Sequence, residues 1–307
     1  MSILTALVSI LCMAVFPAGA AADEEDWTLE ETATKNFHYA APASGQLTVE
    51  VDTYAGAIHV RAAAGSNIEA SVRETVRAAS PARVAQAHRE VTLQAGQEGE
   101  LVRFYVDGPF RCDCVRGWCS DDEDKPSSTG CRNGHGAFRS NDEQPYEVAY
   151  DFELAVPAHA DLTLRTVNRG NIAVVGVDGT FTVRNVNGEI RLERVSGSGS
   201  ARTVNGGVTV DLTRGPADSW RLTTVNGDVE LRLPPSAGID ARVETMNGEA
   251  WSDFPYTQLP PAAATRHERD GRWVYRREGS RLRLGPGGPQ VAMETLNGDI
   301  RIRKNTR

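Results

Sequence analysis

The sequence lacks an excess of positive charge. It has 33 lysine and arginine residues against 41 aspartate and glutamate residues, so the formal net charge of the 307-residue chain is −8. Because non-specific nucleic-acid binding needs a basic surface, this balance argues against a general nucleic-acid binder. Lysine itself is scarce, since only Lys35, Lys125 and Lys304 occur. We interpret that scarcity as codon bias rather than as chemistry.

The sequence also lacks the local motifs of common enzymes. It has no zinc-protease helix motif, no Gly-x-Ser-x-Gly elbow and no glycine-rich phosphate loop before a helix. The six histidines are scattered singly, which is more typical of surface residues than of metal ligands. The acidic run 121–124 could recruit calcium, but such a run is usually a solvated loop. We therefore expect no cofactor, no resident metal and no catalytic residue.

Long hydrophobic runs are missing except at the N-terminus. Residues 3–16 form an uncharged apolar run, which is short for a membrane span, and small residues at 17–22 lead into the acidic run 23–26. This order predicts a secretory signal peptide over residues 1–22, with an uncleaved anchor as the alternative because no basic residue precedes the run. The mature chain is then exported, without a transmembrane segment, to the periplasm or the cell surface.

Cysteine is concentrated in one short segment. Four of the five cysteines, Cys112, Cys114, Cys119 and Cys131, follow one another in a stretch rich in glycine, serine and aspartate. An even number in an exported chain favours two disulfides. Cys112 and Cys114 are too close in sequence for an easy mutual bridge, which leaves two connectivities open. The alternative is a zinc site with His135 nearby, although the Cys-x-Cys spacing fits the common zinc pattern poorly.

An internal repeat is the strongest feature that the sequence does have. Six segments are similar to a unit in which Thr-x-Asn-Gly precedes an acidic residue and two alternating apolar residues. The first has one inserted residue, the second has Asn185 in place of threonine, and the third has Gly207 in place of the acidic residue. Successive asparagines are 18 to 21 residues apart, apart from a final gap of 50. The repeated residues are Asn168, Asn187, Gly188, Asn205, Gly206, Asn226, Gly227, Asn247, Gly248, Asn297 and Gly298.

The repeat unit predicts a strand that follows a corner. Alternation after the glycine has the two-residue period of a strand with one buried face, and Asn-Gly is typical of turns. A fixed period near 20 residues favours a β-solenoid, in which each turn stacks on the last and the asparagines form a ladder. An antiparallel β-sandwich is the alternative. We expect the residue before each asparagine to form one buried column: Val167, Val186, Val204, Val225, Met246 and Leu296.

These units resemble the DUF4097 family. The resemblance rests on the Thr-x-Asn-Gly-Asp-Ile units, the Leu-Gly-Pro-Gly-Gly-Pro run at 284–289 and the closing segment 294–302, and it covers roughly residues 145–307. It reaches weakly into residues 47–60, which are similar to a degenerate opening repeat. The family implies an exported, envelope-associated, non-enzymatic β-repeat protein. Its adhesin label is an analogy, because a fold does not fix a function.

The chain divides into four regions. The signal peptide at 1–22 precedes an N-terminal β-rich cap at 23–110, a Cys-rich insertion at 111–141, and a solenoid domain at 142–307 with an excursion at 251–290. The cap contains the one convincing helix, which begins at Ser80-Pro81 and ends near Glu90, because serine is a good N-cap and proline suits the first helical position.

The best catalytic candidates are the acidic residues after the corners: Glu189, Asp228, Glu249 and Asp299. Stacked turns would bring these carboxylates close together, as in a solenoid enzyme that cleaves polysaccharides. The column is interrupted by Gly207, and no histidine, tyrosine or lysine recurs beside it. Solvated corner residues are therefore the favoured interpretation.

A basic block near the C-terminus suggests a binding site instead. Residues 265–307 hold eleven basic and five acidic residues. We expect 272–276 and 281–284 to form a hairpin that presents Arg272, Arg276, Arg277, Arg281 and Arg283 to an anionic envelope polymer or another envelope protein. An acidic segment of the chain itself is the alternative partner.

The functional prediction is an exported, adhesin-like binding or scaffold protein that is not an enzyme. The alternatives are a polysaccharide-active hydrolase or lyase and an envelope-stress accessory protein. The oligomeric state is not predicted.

Overall fold

The computed structural model describes residues 9–10, 27–42, 45–111, 145–260, 265–269, 272–276 and 279–305. This part of the chain is all-β apart from one helix, which confirms the all-β part of the predicted fold class. Helix α1 (Pro81–Glu90) begins where the sequence predicts, with the Ser80 hydroxyl accepting a hydrogen bond from the Arg83 amide. It packs Val84 and Ala87 into the core.

The strands fall into three groups along the chain. The first group is β1 (Ser9–Ile10), β2 (Leu29–Tyr39), β3 (Thr48–Asp52), β4 (Ile58–Ala63), β5 (Ile68–Ala78), β6 (Thr92–Glu98), β7 (Leu101–Asp107) and β8 (Tyr146–Pro157). The second group is β9 (Asp161–Arg165), β10 (Ile172–Val175), β11 (Asp178–Arg184), β12 (Ile190–Arg202), β13 (Val208–Leu212), β14 (Trp220–Thr223), β15 (Val229–Leu233), β16 (Ile239–Asn247) and β17 (Ala250–Ser252). The third group is β18 (Tyr256–Gln258), β19 (Thr265–Arg269), β20 (Arg272–Arg276), β21 (Ser280–Leu284), β22 (Gln290–Asn297) and β23 (Ile300–Lys304).

The repeat strands stack in parallel, in two sheets that the chain visits alternately. The first sheet contains β8, β4, β10, the start of β12, β13, β15, β23 and β17 in that order. The second sheet contains β7, β3, β9, β11, the end of β12, β14, β22 and β16. The repeat strands therefore do not pair as an antiparallel sandwich would require.

Strands β3 and β4 lie inside this stack, although they come from the region expected to form a cap. They pair in parallel with β9 and β10 on one side and with β7 and β8 on the other. Antiparallel strands cover this end of the stack. In the first sheet β5 pairs with β8 and β2 with β5, while in the second sheet β6 pairs with β7.

Alternating apolar side chains from both sheets fill the space between them. In β13 the inward residues Val208, Val210 and Leu212 are fully buried, and β15 repeats the pattern with Val229, Leu231 and Leu233. Burying one such side chain stabilises the fold by about 1.5–3 kcal/mol. The repeated spacing of apolar residues is thus the main source of the stability of the stack.

At most corners the buried residue is the threonine of the unit, or Asn185 in its place, and not the apolar residue before the asparagine. Thr203, Thr224 and Thr295 are buried, and each hydroxyl donates to a glycine carbonyl of the neighbouring turn at 2.8–2.9 Å. The predicted buried column is wrong, because its members face outward: Met246 is 75% and Leu296 40% exposed. Val167, Val186, Val204 and Val225 are half-buried.

Replacing Thr224 by valine tests the value of this buried hydroxyl. Valine fills the same space but cannot donate to the Gly206 carbonyl, which the Thr224 hydroxyl reaches at 2.8 Å. We expect a loss of about 1–3 kcal/mol in the free energy of unfolding, measured by urea denaturation. Thr223→Val is the matched control, because Thr223 lies on the outward face and is less buried. Equal stability of both variants would contradict this role.

The last two repeats exchange places in the stack. Strand β23 lies between β15 and β17, and β22 lies between β14 and β16, so the final repeat of the chain inserts before its predecessor. The antiparallel strands β21 and β18 then extend the second sheet beyond β16. The long gap between the last two asparagines is therefore the segment that leaves the stack, covers its end and returns.

The predicted hairpin of 272–276 with 281–284 is wrong. Strand β20 pairs with β19 in a separate two-stranded sheet, and β21 pairs with β16 and β18. Strand β21 does not pair with β20, because its backbone hydrogen-bonds with β16, the outermost parallel strand of the second sheet, and with β18.

Candidate binding surface

The corner asparagines form a continuous ladder along the stack. Each side-chain amide donates to the asparagine oxygen of the preceding turn at 2.7–2.8 Å, in the order Asn168, Asn187, Asn205, Asn226, Asn297 and Asn247. At the other end of the ladder, Ala55 lies beside Asn168 and takes the equivalent position. These amides hold the turns in register, so we assign them a structural role.

The acidic residues after the corners also bond within the protein. The carboxylate of Asp228 accepts from the backbone amide of Asp299 at 2.8 Å and from the Arg301 guanidinium, and Asp299 accepts from the backbone amide of Glu249. The Asp299 amide, followed by Arg301, lowers the pKa of Asp228 below its usual range. A general acid for glycoside cleavage needs the opposite shift, so this carboxyl is poorly suited to that role.

The predicted basic site near the C-terminus is partly engaged by the protein itself. Arg283 donates two hydrogen bonds of 2.8 Å to Asp240, and Arg281 reaches the carbonyl of Pro260 at 3.4 Å. The acidic partner of Arg283 thus lies on the adjacent strand β16. The side chains of Arg272, Arg276 and Arg277 lie outside the described residues, so the proposed presentation of these arginines stays a prediction.

The four cysteines Cys112, Cys114, Cys119 and Cys131 also lie outside the described residues. The segment that carries them connects β7 to β8, the connection that corresponds to the asparagine corner in the other turns. Arg111 fixes the start of this segment. Its buried guanidinium donates to the Asp52 carboxylate at 2.9 Å and to the carbonyls of Asp52 and Val106.

A row of arginines crosses the outer face of the second sheet. Strand register places Arg165, Arg184 and Arg202 on three successive strands at the same position. The neighbouring row carries Thr163, Thr182 and Ser200 on the same strands and then Arg221 on the next one. We call Arg165, Arg184, Arg202 and Arg221 the arginine patch.

Acidic residues flank the arginine patch but are themselves paired. On one side Asp52 bonds Arg111 and lies 4.0 Å from Arg165. On the other side Glu294 lies 3.8 Å from Arg242, which also pairs with Glu244. Burial lowers the pKa of Arg165, and the nearby charges of Arg111 and Arg184 act in the same direction while Asp52 opposes them. The acidic residues on both sides of this face are therefore already paired with arginine side chains.

The sequence contained a signal for the arginine patch. Three repeat units begin with arginine directly before Thr-Val-Asn or Asn-Val-Asn, at residues 165, 184 and 202. Because a strand alternates its faces, an arginine next to an inward threonine must point outward. The net charge of consecutive residues does not reveal this row, because its members are 18 or 19 residues apart.

Exposed apolar side chains lie at the far end of the stack. Met246, Trp251, Tyr256 and Leu296 are the large hydrophobic residues exposed among those the structure describes. Trp251 and Tyr256 line a groove of about 380 Å³ that β17, β18 and β21 border. Trp251 also borders a second groove, of about 440 Å³, with Asp299 and Arg301.

The described residues contain no group of three or more histidine, cysteine, aspartate or glutamate side chains that could hold a metal ion. In the same part of the chain, α1 is too short and too polar to cross a bilayer, and no other helix occurs.

The parallel stack, its asparagine corners and its charged outer faces define a class of all-β repeat proteins. Within this class, residues 160–303 match the model of the family described as Toastrack DUF4097. This match confirms, over residues 160–303, the resemblance found in the sequence. A comparison with curated proteins finds no significant match.

A comparison with solved structures finds matches of low similarity. A "putative cell adhesion protein" from Clostridium sporogenes is 8% identical, with 89% of this chain and 100% of that chain covered and a TM-score of 0.41. A "putative adhesin" from Bacteroides fragilis is 7% identical, covers 89% and 97%, and has a TM-score of 0.35. A "putative lipid binding protein" from Parabacteroides distasonis is 8% identical, covers 89% and 97%, and has a TM-score of 0.26. Similarities this low do not bear on function.

Proposed function

We propose that this chain is an exported, non-enzymatic binding or scaffold protein of the bacterial cell envelope, located in the periplasm or on the cell surface. Its scaffold is a β-solenoid of Thr-x-Asn-Gly repeats. The observation that supports a binding role is the arginine patch, in which one residue type recurs on successive strands of an exposed sheet face. Such a regular array suits an extended partner with repeated charges.

The proposal includes the division of the chain. Residues 1–22 are the signal peptide, 23–110 the N-terminal region, 111–141 the Cys-rich insertion with two disulfides, and 142–307 the repeat domain. The acidic column is consistent with the same function, because Asp228 and Asp299 accept hydrogen bonds from backbone amides and from Arg301, which suits a structural role at the corners. A hydrolase or lyase would need at least one of these carboxylates to be available to substrate.

Export and binding can be tested with the full-length chain. Produced in a bacterial host, it should appear in the periplasmic or surface fraction with its N-terminus near Asp23, as determined by N-terminal sequencing. The purified protein should bind material from envelope fractions. It should release no new reducing ends from envelope polysaccharides.

Asp228→Asn with Asp299→Asn provides the enzymatic control. Binding without turnover in both the wild type and this variant supports the proposal. Polysaccharide cleavage that disappears in the variant would establish the hydrolase or lyase alternative, and retention of the uncleaved chain in the cytoplasm would contradict export.

A further inference from the structure

Strand β2 leaves a long backbone edge open at one end of the first sheet. Its eleven residues pair with β5 along one side over their whole length. Along the other side β2 pairs, among the strands that the structure describes, only with the two residues of β1. An unpaired edge presents a row of amide and carbonyl groups with which a further strand can pair. The β2 edge is therefore an interaction surface that the fold itself does not use.

The short strand β1 shows which kind of strand this edge accepts. It runs antiparallel to β2, with Ser9 opposite Thr34 and Ile10 opposite Ala33, at the middle of the edge. Strand β1 lies within residues 1–22, which the proposed function treats as a signal peptide. Cleavage of that peptide removes β1, so the whole length of the β2 edge becomes available to another strand in the processed chain.

The sequence of β2 is complementary to itself when two copies run antiparallel with Ala33 at the centre. Residues that are then opposite each other lie on the same face of the joined sheet. The pairs are Leu29 with the partner's Phe37, Glu31 with the partner's Lys35, Glu30 with the partner's Asn36, and Thr32 with the partner's Thr34. Apolar residues thus meet apolar residues, opposite charges meet, and no like charges are opposed.

Other registers lose this complementarity. Moving the centre by two residues places Lys35 opposite the partner's Lys35, or Glu31 opposite the partner's Glu31. Moving it by one residue places Glu31 opposite the partner's Phe37, or Lys35 opposite the partner's Leu29. Like charges directly opposite each other destabilise an antiparallel pair. The pattern of charge therefore selects the register centred on Ala33.

The two charged residues select the register but do not supply most of the attraction. Glu31 lies 3.5 Å from His88 and Lys35 lies 3.4 Å from Glu74, so neither charge is free. Their side chains remain 46% and 37% exposed, and an exposed ion pair contributes about 1 kcal/mol or less. The backbone hydrogen bonds and the half-buried Leu29 and Phe37, which already pack against the core, carry the association.

We infer that a second copy of the processed chain occupies the β2 edge, in an antiparallel pairing centred on Ala33. The pairing is symmetric, as in most homodimers, and it joins two first sheets into one through about eight to ten interchain hydrogen bonds. This inference rests on the cleavage and export in the proposed function. The dimer carries two copies of every surface of the stack, which raises its avidity for a repeated ligand.

Two matched double variants test the dimer on the outer face of β2. Thr32→Glu with Thr34→Glu places like charges opposite each other in the dimer, whereas Thr32→Lys with Thr34→Glu places opposite charges there. Position 34 is the same in both, so its contact with Arg73 on the adjacent strand cancels. We expect the first variant to raise the dissociation constant of the dimer at least about tenfold and the second to leave it within about threefold of wild type. Sedimentation velocity of the processed protein measures it.

A cross-link tests the register directly. Opposed residues of an antiparallel pair have Cα atoms about 4.5–5.5 Å apart, which a disulfide can span. Processed Ala33→Cys protein should therefore form a covalent dimer under mild oxidation. Asn36→Cys is the control, because Asn36 is exposed but the two copies of this residue lie about 20 Å apart in the same dimer. Wild type under the same oxidant corrects for links between its own cysteines.

Three results would overturn the inference: processed wild type that stays monomeric at about 0.1 mM, equal weakening in the two double variants, or a covalent dimer that forms as well at position 36 as at position 33. A dimer that none of these substitutions alters uses another surface and counts against it too. Circular dichroism checks that each variant is folded, and Ala33→Cys keeps the test decisive if a double variant is not. N-terminal sequencing and binding to envelope fractions test the proposed function separately, so it stands if only the dimer fails.

Discussion

Replacing Gly227 by alanine is expected to unfold the repeat stack at moderate temperature. Gly227 has a φ of 153°, and a Cβ at this position would lie 2.2 Å from the carbonyl oxygen of Gly206 on the preceding turn. That oxygen is backbone and already accepts from Thr224, so it cannot move aside without breaking the corner. We expect a loss of about 3 kcal/mol or more in the free energy of unfolding. Thermal and urea denaturation followed by circular dichroism measure it.

Gly65→Ala is the control for this prediction. Gly65 has nearly the same backbone angle, 156°, but no heavy atom lies within 4 Å of the position where its Cβ would be. It therefore isolates the conformational cost of alanine, which we expect to be about 1 kcal/mol. If the two variants were equally destabilised, close approach between neighbouring turns would not be the reason for glycine at the corner.

The regular part of the fold follows from local sequence. Alternation around each Thr-x-Asn-Gly unit sets which residues face inward, and the common period brings asparagines of successive turns together. The same alternation places Thr224 on the inward face after Leu222, with Val225 outward. Hydrophobicity alone predicted the reverse, with Val225 inward and Thr224 outward. The threonine is buried because its hydroxyl satisfies a glycine carbonyl that valine would leave unpaired.

The order of the turns could not be predicted from the repeat. Because the units are nearly identical, each strand can pair with any other in the same register, and chain order is only the simplest choice. The exchange of β22–β23 with β16–β17 depends on the excursion, whose strands β18 and β21 pair with each other, β21 also pairing with β16. Such pairings are long-range and have no local signature.

The arginine patch illustrates a second limit of prediction from the sequence. Its residues are visible in the repeat, but a patch exists only when strands from different turns lie side by side. Summing charge over residues 265–307 drew attention to the C-terminal basic block instead. There, Arg283 is paired with Asp240 of the neighbouring strand. Charge on a stacked fold is therefore better compared between equivalent positions of the repeats than along the chain.

The second large effect is expected at the buried ion pair that fixes the start of the Cys-rich insertion. The side chains of Arg111 and Asp52 are 5% and 9% exposed, and their nitrogen and oxygen atoms are 2.9 Å apart. Arg111→Met leaves a carboxylate buried without its main partner. We expect a loss of about 3–5 kcal/mol in the free energy of unfolding at neutral pH. Urea denaturation measures it.

The exposed pair of Arg103 and Glu50 on the same face provides the control. These side chains are 43% and 28% exposed with 3.3 Å between the charged atoms, so Arg103→Met should cost about 1 kcal/mol or less. A similar loss in the two variants would show that burial of the Asp52 pair does not determine its contribution.

The destabilisation of Arg111→Met should also depend on pH in a defined direction. Burial raises the pKa of Asp52 above its usual value, while Arg111 and then Arg165 oppose that shift. Removing Arg111 must raise this pKa further. A carboxyl whose pKa is higher in the folded than in the unfolded state destabilises the fold increasingly as pH rises above the ordinary carboxyl pKa near 4.

The difference in stability between wild type and Arg111→Met should therefore be smaller at pH 4 than at pH 7, and Asp52→Asn combined with Arg111→Met should remove most of this dependence. A difference that stayed constant with pH would mean that the loss comes from the hydrogen bonds of Arg111 to the Val106 and Asp52 carbonyls rather than from the unpaired charge.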